Sequence, residues 1–164
     1  MSPGQKSPKI HTLSTALDKA RKFCAYQERS QQEVRDKLYD LGLHKNEVEQ
    51  GISQLITEGF INEERYAAIF AGGKFRIKQW GRVKITIELQ KKKISSYCIR
   101  KALESIDERD YLHTLEQVIR KKKKELKGGT SLKNSYALAR FAISRGFEAP
   151  LVRETLKNEG FEEE

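Results

Sequence analysis

Proline is nearly missing from this sequence. Of its three prolines, two stand at positions 3 and 8, and only Pro150 interrupts the remainder. Proline removes an amide donor and clashes with the preceding helical turn, so its scarcity, joined to apolar residues spaced by three and four, predicts helices almost throughout. Strands are hard to place anywhere. Cysteine is equally scarce: Cys24 and Cys98 lie far apart, each among apolar neighbours in a helical segment, and both are expected to be buried thiols. No stretch approaches the run of about 20 apolar residues needed to cross a bilayer, and Met1 to Lys9 lacks the apolar segment of a secretory signal. The expectation is a cytoplasmic protein with no membrane association.

Recognisable catalytic chemistry is also lacking. The nearest approach to a phosphate-binding loop, Gly72-Gly73-Lys74-Phe75, has neither the upstream glycine nor the hydroxyl that follows lysine in such loops. His11, His44 and His113 stand alone, without cysteine or carboxylate neighbours at metal-ligand spacing, and there is no Cys-x-x-Cys pair. Glu63 and Glu64 adjoin a helix start, where carboxylates favour the helix dipole, so capping accounts for them better than acid–base catalysis. These absences point to a protein that is not an enzyme and holds no cofactor or metal.

What the chain does have is a weak internal repeat. Val34, Leu38, Gly42, Leu43, Val48 and Ile52 are matched 51 positions later by Ile85, Leu89, Lys93, Ile94, Ile99 and Leu103. A further 53 positions give Leu138, Ala142, Gly146, Phe147, Val152 and Leu156. The pattern describes a helix, a tight turn, an apolar residue anchoring the turn, and a second helix; Gly42 and Gly146 sit where a helix end calls for a left-handed residue. Another helical stretch precedes each pair, at about Ser14 to Tyr26, Glu63 to Lys78 and Asp107 to Lys127. Helix starts are marked by Ser14, by Ser30 with Glu33 three residues on, and by Asn62, Ser95 and Ser131. The expected fold is all-α: three tandem three-helix repeats over residues 13–61, 62–106 and 107–164, stacked into an elongated, curved array because no unit alone completes a core. Residues 1–12 read as a mobile arm and the last residues as an exposed acidic end.

Lys and Arg exceed Asp and Glu by 32 to 23, and the excess is local. Residues 72–93 hold eight basic side chains and one acid, Glu88; residues 120–133 hold seven against Glu125 alone. In the first segment Lys74, Arg76, Lys78, Arg82, Lys84, Lys91, Lys92 and Lys93 interleave with Phe75, Trp80, Ile85 and Leu89. The apolar members are expected in the core and the basic ones on an exposed face, with Trp80 and Gly81 at a turn. Lys74, Arg76, Lys78, Arg82, Lys84, Lys91 and Lys92 are the main candidate contacts. Arg120, Lys121, Lys122, Lys123 and Lys124 cover more than one helical turn, which suits an exposed helix extension and a secondary contact. A solvated face that only keeps the protein soluble remains the alternative for both segments. Tyr66 and Phe70 share a helix face and are expected in the core. Arg65 either reaches outward as a contact or pairs with Glu63 or Glu64.

The segment Gly59-Phe60-Ile61-Asn62-Glu63-Glu64-Arg65-Tyr66-Ala67, followed by Gly81-Arg82-Val83-Lys84-Ile85 and Glu88-Leu89, resembles the second repeat of the RecX family of recombinase regulators. Ala16-Leu17, Arg29-Ser30, Glu33-Val34, Lys37-Leu38 and Gly42-Leu43 resemble its opening repeat, and Arg145-Gly146-Phe147 the turn of its last. The resemblance covers about Leu13 to Phe161. One departure is Lys92-Lys93, where the family usually has Lys-Gly, so the left-handed turn there must be made without glycine. The resemblance implies a monomeric, non-enzymatic regulator, most simply an inhibitor, lying along the groove of a RecA-type recombinase filament. Single- or double-stranded DNA is a further expected partner, and filament recombinase, ATPase and co-protease activities would be modulated. Two other readings stay open at this point. Paired helices joined by glycine turns also describe helix-turn-helix DNA readers, and a helical array can serve as a purely protein-binding scaffold.

Overall fold

The computed structural model describes residues 11–161, which form nine α-helices and no strand. In chain order these are α1 (Leu13–Tyr26), α2 (Gln31–Asp40), α3 (Lys45–Thr57), α4 (Glu63–Lys78), α5 (Arg82–Lys91), α6 (Ser96–Glu104), α7 (Glu108–Lys123), α8 (Leu132–Ser144) and α9 (Ala149–Asn158). By contacts the chain divides into two compact units: one runs up to Tyr66 and takes in Lys92–Ile94, the other holds Ala67–Lys91 and everything from Ser95 on.

Short polar side chains start most of the helices, as the sequence indicates. Ser30 and Glu33 form a reciprocal capping box on α2, Asn62 Oδ1 accepts from the Arg65 amide, and Ser95 and Ser131 accept from the amides of Cys98 and Asn134. The expectation for α1 needs correcting. Its cap is Thr12, which accepts from the Thr15 amide, and Ser14 already lies inside the helix. Residues 1–10 of the expected arm and Glu162–Glu164 of the acidic end lie outside the described residues.

The repeated turn is a left-handed helix end. Gly42 has φ +90°; its amide donates to the Tyr39 carbonyl, and the Leu43 amide reaches back to Leu38. Gly146 repeats this with φ +97°, bonding to Ile143 while Phe147 bonds to Ala142. Both satisfy carbonyls that a helix end otherwise leaves without partners. Lys93 takes the equivalent place in the middle repeat with φ +60°, so the turn without glycine is made by a lysine held in the left-handed region.

In the first unit Ala16, Leu17 and Ala20 of α1, Val34 and Leu38 of α2, and Val48, Ile52 and Leu55 of α3 form one buried cluster closed by Leu43 and Ile61. Outside it, Arg21 forks onto the Glu58 carboxylate at 2.8 Å, joining α1 to the end of α3. Tyr66 is buried as expected; burial, aided by the Glu33 charge, pushes its hydroxyl up to about 12. Cys98 is buried, whereas Cys24 is only half-buried, correcting the expectation of two buried thiols; it follows Phe23, itself only packed at the edge of the cluster.

The core of the second unit gathers Ala67, Ala71 and Phe75 of α4, Ile85 and Leu89 of α5, and Tyr111, Leu115, Val118 and Ile119 of α7 with Leu138, Ala142, Val152 and Leu156. Tyr111 sits between two other rings, 5.9 Å from Phe75 and 5.3 Å from Phe147 between centroids. Backbone meets backbone beside it. The Gly81 amide donates to the Arg145 carbonyl at 2.8 Å and the Val83 amide to the Gly146 carbonyl at 2.9 Å. A methyl on Gly81 would fall 2.3 Å from the Gly146 carbonyl group, and one on Gly146 would fall 2.3 Å from Lys84 Cβ.

Two outcomes follow from this packing. Gly81→Ala should lower unfolding stability by roughly 2–3 kcal/mol, since the obstacle is backbone that cannot swing aside. Gly73→Ala, with nothing within 4 Å in the interior of α4, should instead raise it slightly; urea denaturation followed by circular dichroism separates the two. In the first unit the Arg21 fork, helped by the Gln54 amide, draws Glu58 down to about 2 from an ordinary 4.5. A depressed carboxylate contributes stability that is complete above its unfolded value and is lost as pH falls through its folded one. Urea midpoints of the wild type and Glu58→Gln should therefore converge on acidification from about pH 5 to about pH 2.

Candidate functional site

The basic segment 74–84 is built on the last turn of α4, the turn Gln79–Gly81 and the first turn of α5. Arg76 and Lys78 lie in the last turn of α4, where cations favour the helix dipole. The helix then stops on Gln79, which has φ +55° and donates its amide to Phe75. A left-handed glutamine gives no sequence signal. It turns Trp80 back so that the Lys74 and Lys84 ammonium groups lie 5.0 and 4.5 Å from its ring. Lys74 also lies 5.5 Å from the half-buried ring of Phe70, which was expected deeper in the core.

The amides that open α5 have no side-chain cap of the usual kind. Carbonyls 145 and 146 take two of them, and the Tyr111 hydroxyl takes the Arg82 amide at 3.1 Å. The same hydroxyl donates to Glu148. Arg82 lies with its guanidinium 3.8 Å from the Tyr111 ring, bonded to Glu148 at 2.8 Å and to Glu108. Burial opposes the Arg82 charge, but the two carboxylates and Tyr111 outweigh it and raise its pKa. Burial and the Glu148 bond likewise push Tyr111 well above the usual phenol range. Arg82 is thus half-buried and committed to partners within the second unit. A neighbouring arginine, Arg145, covers the end of α4 by donating to the Lys78 carbonyl at 3.0 Å.

The other basic candidates divide according to whether a carboxylate is near. Lys91 pairs with Glu88 at 3.1 Å, and Lys92, part of the first unit, lies 3.6 Å from Glu33. In the second cluster Arg120 pairs with Glu159 and Lys122 with Glu125, while Lys123 lies 5.1 Å from the Phe161 ring. Lys121 and Lys124 are exposed. Lys74, Arg76, Lys78 and Lys84 make no ion pair among the described residues; Arg76 and Lys78 are exposed and the other two half-buried against Trp80. The structure therefore gathers Lys74, Lys84 and Trp80 and turns Arg82 away from them. Arg65 pairs with Glu28 at 2.8 Å, so its structural reading is right but its partner is neither Glu63 nor Glu64. No group of three or more metal-ligating side chains occurs among the described residues, and no described helix is long and apolar enough to cross a membrane.

Two family models match this chain: "RecX, first three-helix domain" over residues 16–55 and "RecX, second three-helix domain" over 62–103. A regulatory protein RecX of Chlorobium phaeobacteroides is 30% identical over 141 residues, covering 86% of this chain and 91% of that protein. The chain belongs to the RecX family. It is also 31% identical over 140 residues to a regulatory protein RecX of Clostridium perfringens, spanning 65% of that longer protein. A crystal structure of RecX from Lactobacillus salivarius shares the fold, with a TM-score of 0.80 at 20% identity over 89% of this chain and 95% of that one. The all-helical repeat fold and the resemblance read from the sequence both hold, and the relatives bear the name regulatory protein. The basic stretch 74–84 lies within the second matched domain.

Arg82→Gln and Tyr111→Phe should each destabilise the fold by about 1–2 kcal/mol, because each leaves part-buried hydrogen-bonding groups without partners. Lys78→Gln should leave the urea midpoint unchanged within about 0.5 kcal/mol, as for an exposed side chain with no carboxylate partner.

Proposed function

We propose that this chain is an inhibitor of a RecA-type recombinase, binding along the groove of the recombinase–DNA filament and reducing its recombinase, ATPase and co-protease activities. One observation carries the reading. Lys74 and Lys84 flank the half-buried ring of Trp80, Arg76 and Lys78 lie exposed on the helical turn just before it, and none of the four pairs with a carboxylate among the described residues. Such a group attracts phosphates and acidic protein surfaces alike, and the attraction weakens with salt. Lys91, Lys92, Arg120 and Lys122, each near a carboxylate, contribute less; Lys121, Lys123 and Lys124 add a secondary contact at the end of α7. The protein acts as a monomer in which three repeats, dividing near residues 61 and 106, follow the groove.

The test is the ATPase rate of a DNA-bound RecA-type filament titrated with the protein at two salt concentrations. Inhibition should weaken at the higher salt. The variant Lys74→Glu/Arg76→Glu/Lys78→Glu/Lys84→Glu should retain its helicity and urea midpoint yet lose inhibition by at least tenfold. Arg82 is left out of this variant, because its loss would also destabilise the fold and so confuse the readout. Full inhibition by the folded quadruple variant, or no effect of the wild type at any ratio, would overturn the proposal. Tight, sequence-selective binding to bare duplex would favour a helix-turn-helix reader instead.

A further inference from the structure

Helix α8 is apolar on two faces. Leu138 and Ala142 are buried in the core of the second unit, but Leu132, Tyr136, Ala139 and Ile143 form another stripe at helical spacing along a groove of about 870 Å³ between α8 and α9. Tyr136 and Ile143 remain 47% and 44% exposed there, more than a core helix needs to show water. The lining has three cations, Arg140, Arg153 and Lys157, and no carboxylate. Arg140 and Arg153 are exposed and make no ion pair among the described residues. These residues lie beyond both stretches that the family models match.

We propose that this groove docks an acidic amphipathic helix of a partner protein. Apolar residues on one face of that helix seat on Leu132, Tyr136 and Ile143, and its flanking carboxylates meet Arg140 and Arg153. The stripe from Leu132 to Ile143 runs about 16 Å, the length of three helical turns, which is the scale on which a helix lies in a groove. The sign of the rim selects the occupant. A second copy of this chain would bring Arg140 and Arg153 against themselves, and desolvated like charges oppose such pairing. A nucleic acid would answer the cations but leave the apolar floor wet. The glutamates after Phe161 carry charge and no apolar side chain, so they cannot fill the floor either. The inference does not rest on the filament reading.

Fluorescence anisotropy of the full chain with three labelled synthetic peptides of about sixteen residues decides the matter. The first places leucines at helical spacing among glutamates, the second permutes the same residues to destroy that spacing, and the third replaces glutamate by lysine. Saturable binding is expected for the first, at least tenfold weaker binding for the second, and none for the third. Ile143→Glu should weaken the first by at least tenfold with unchanged circular dichroism. Arg140→Glu/Arg153→Glu, which alters only exposed side chains and so keeps the fold, should transfer preference to the lysine peptide. Equal binding of the permuted peptide, or an unaltered preference in the arginine variant, would overturn the proposal. So would a concentration-dependent dimer in sedimentation that Ile143→Glu abolishes, which would make a second copy the occupant.

Discussion

Where Gly81 crosses Gly146 two backbones touch with no side chain between them, and the geometry of the second unit follows from that approach. A helix start needs acceptors for its first amides. At α5 these come from the carbonyls of a turn more than sixty residues further along the chain, and from Tyr111. Close approach brings Glu148 within reach of both Tyr111 and Arg82. The half-buried charges of Arg82 and Glu148 answer one another, and the neutral Tyr111 hydroxyl adds a hydrogen bond to the pair. With Arg82 drawn inward, Lys84 is left beside the turn, and the left-handed Gln79 brings Trp80 between Lys84 and Lys74. The exposed cations are therefore held by a fixed backbone crossing rather than by a flexible loop.

Much of this was legible in the sequence, and the limits have physical causes. Repeated apolar spacing gave away the helix pairs, and the left-handed turns at Gly42 and Gly146 were readable because glycine is the residue that adopts such φ without strain. The same reasoning anticipated a turn at Lys93 made without glycine. Gln79 could not be foreseen, since nothing local distinguishes a left-handed glutamine from a helical one. Gly81 reads as a turn residue, but its contact with Gly146 is a tertiary fact. Arg82 misled for a related reason. In a run of basic residues every member looks alike, and only the distant positions of Glu108, Tyr111 and Glu148 show that one of them faces inward. Arg65 likewise found Glu28, far from it in sequence and outside the local pairing rule that suggested Glu63 or Glu64.

Formal charge along the chain overstates the field that a partner would meet. Twelve basic residues stood out by position, yet Arg82, Lys91, Lys92, Arg120 and Lys122 each lie near a carboxylate. The pairs of Lys91, Lys92, Arg120 and Lys122, on the surface, add little to stability, but all five cancel charge at short range, where it would be felt by a docking phosphate or carboxylate. What survives beside Trp80 is smaller than the sequence count. A count of lysines could not have ranked the two basic segments on these grounds, because the neutralising acids at positions 33, 148 and 159 lie outside both.

Local charge without carboxylates recurs beside α8, but there it borders an apolar floor, and that difference decides what each surface can recognise. Cations around one half-exposed ring answer any acidic surface, so discrimination must come from shape and from the number of simultaneous contacts. An apolar stripe with a basic rim imposes two conditions at once, apolar residues at helical spacing and carboxylates flanking them, and a segment meeting only one gains only part of the free energy. A helix that buries Leu138 and Ala142 on one face gains little in folding from the exposed Leu132 and Ile143 on another. Polar residues there would be as compatible with the fold and less prone to association, so the second stripe is better explained by contact with something outside this chain.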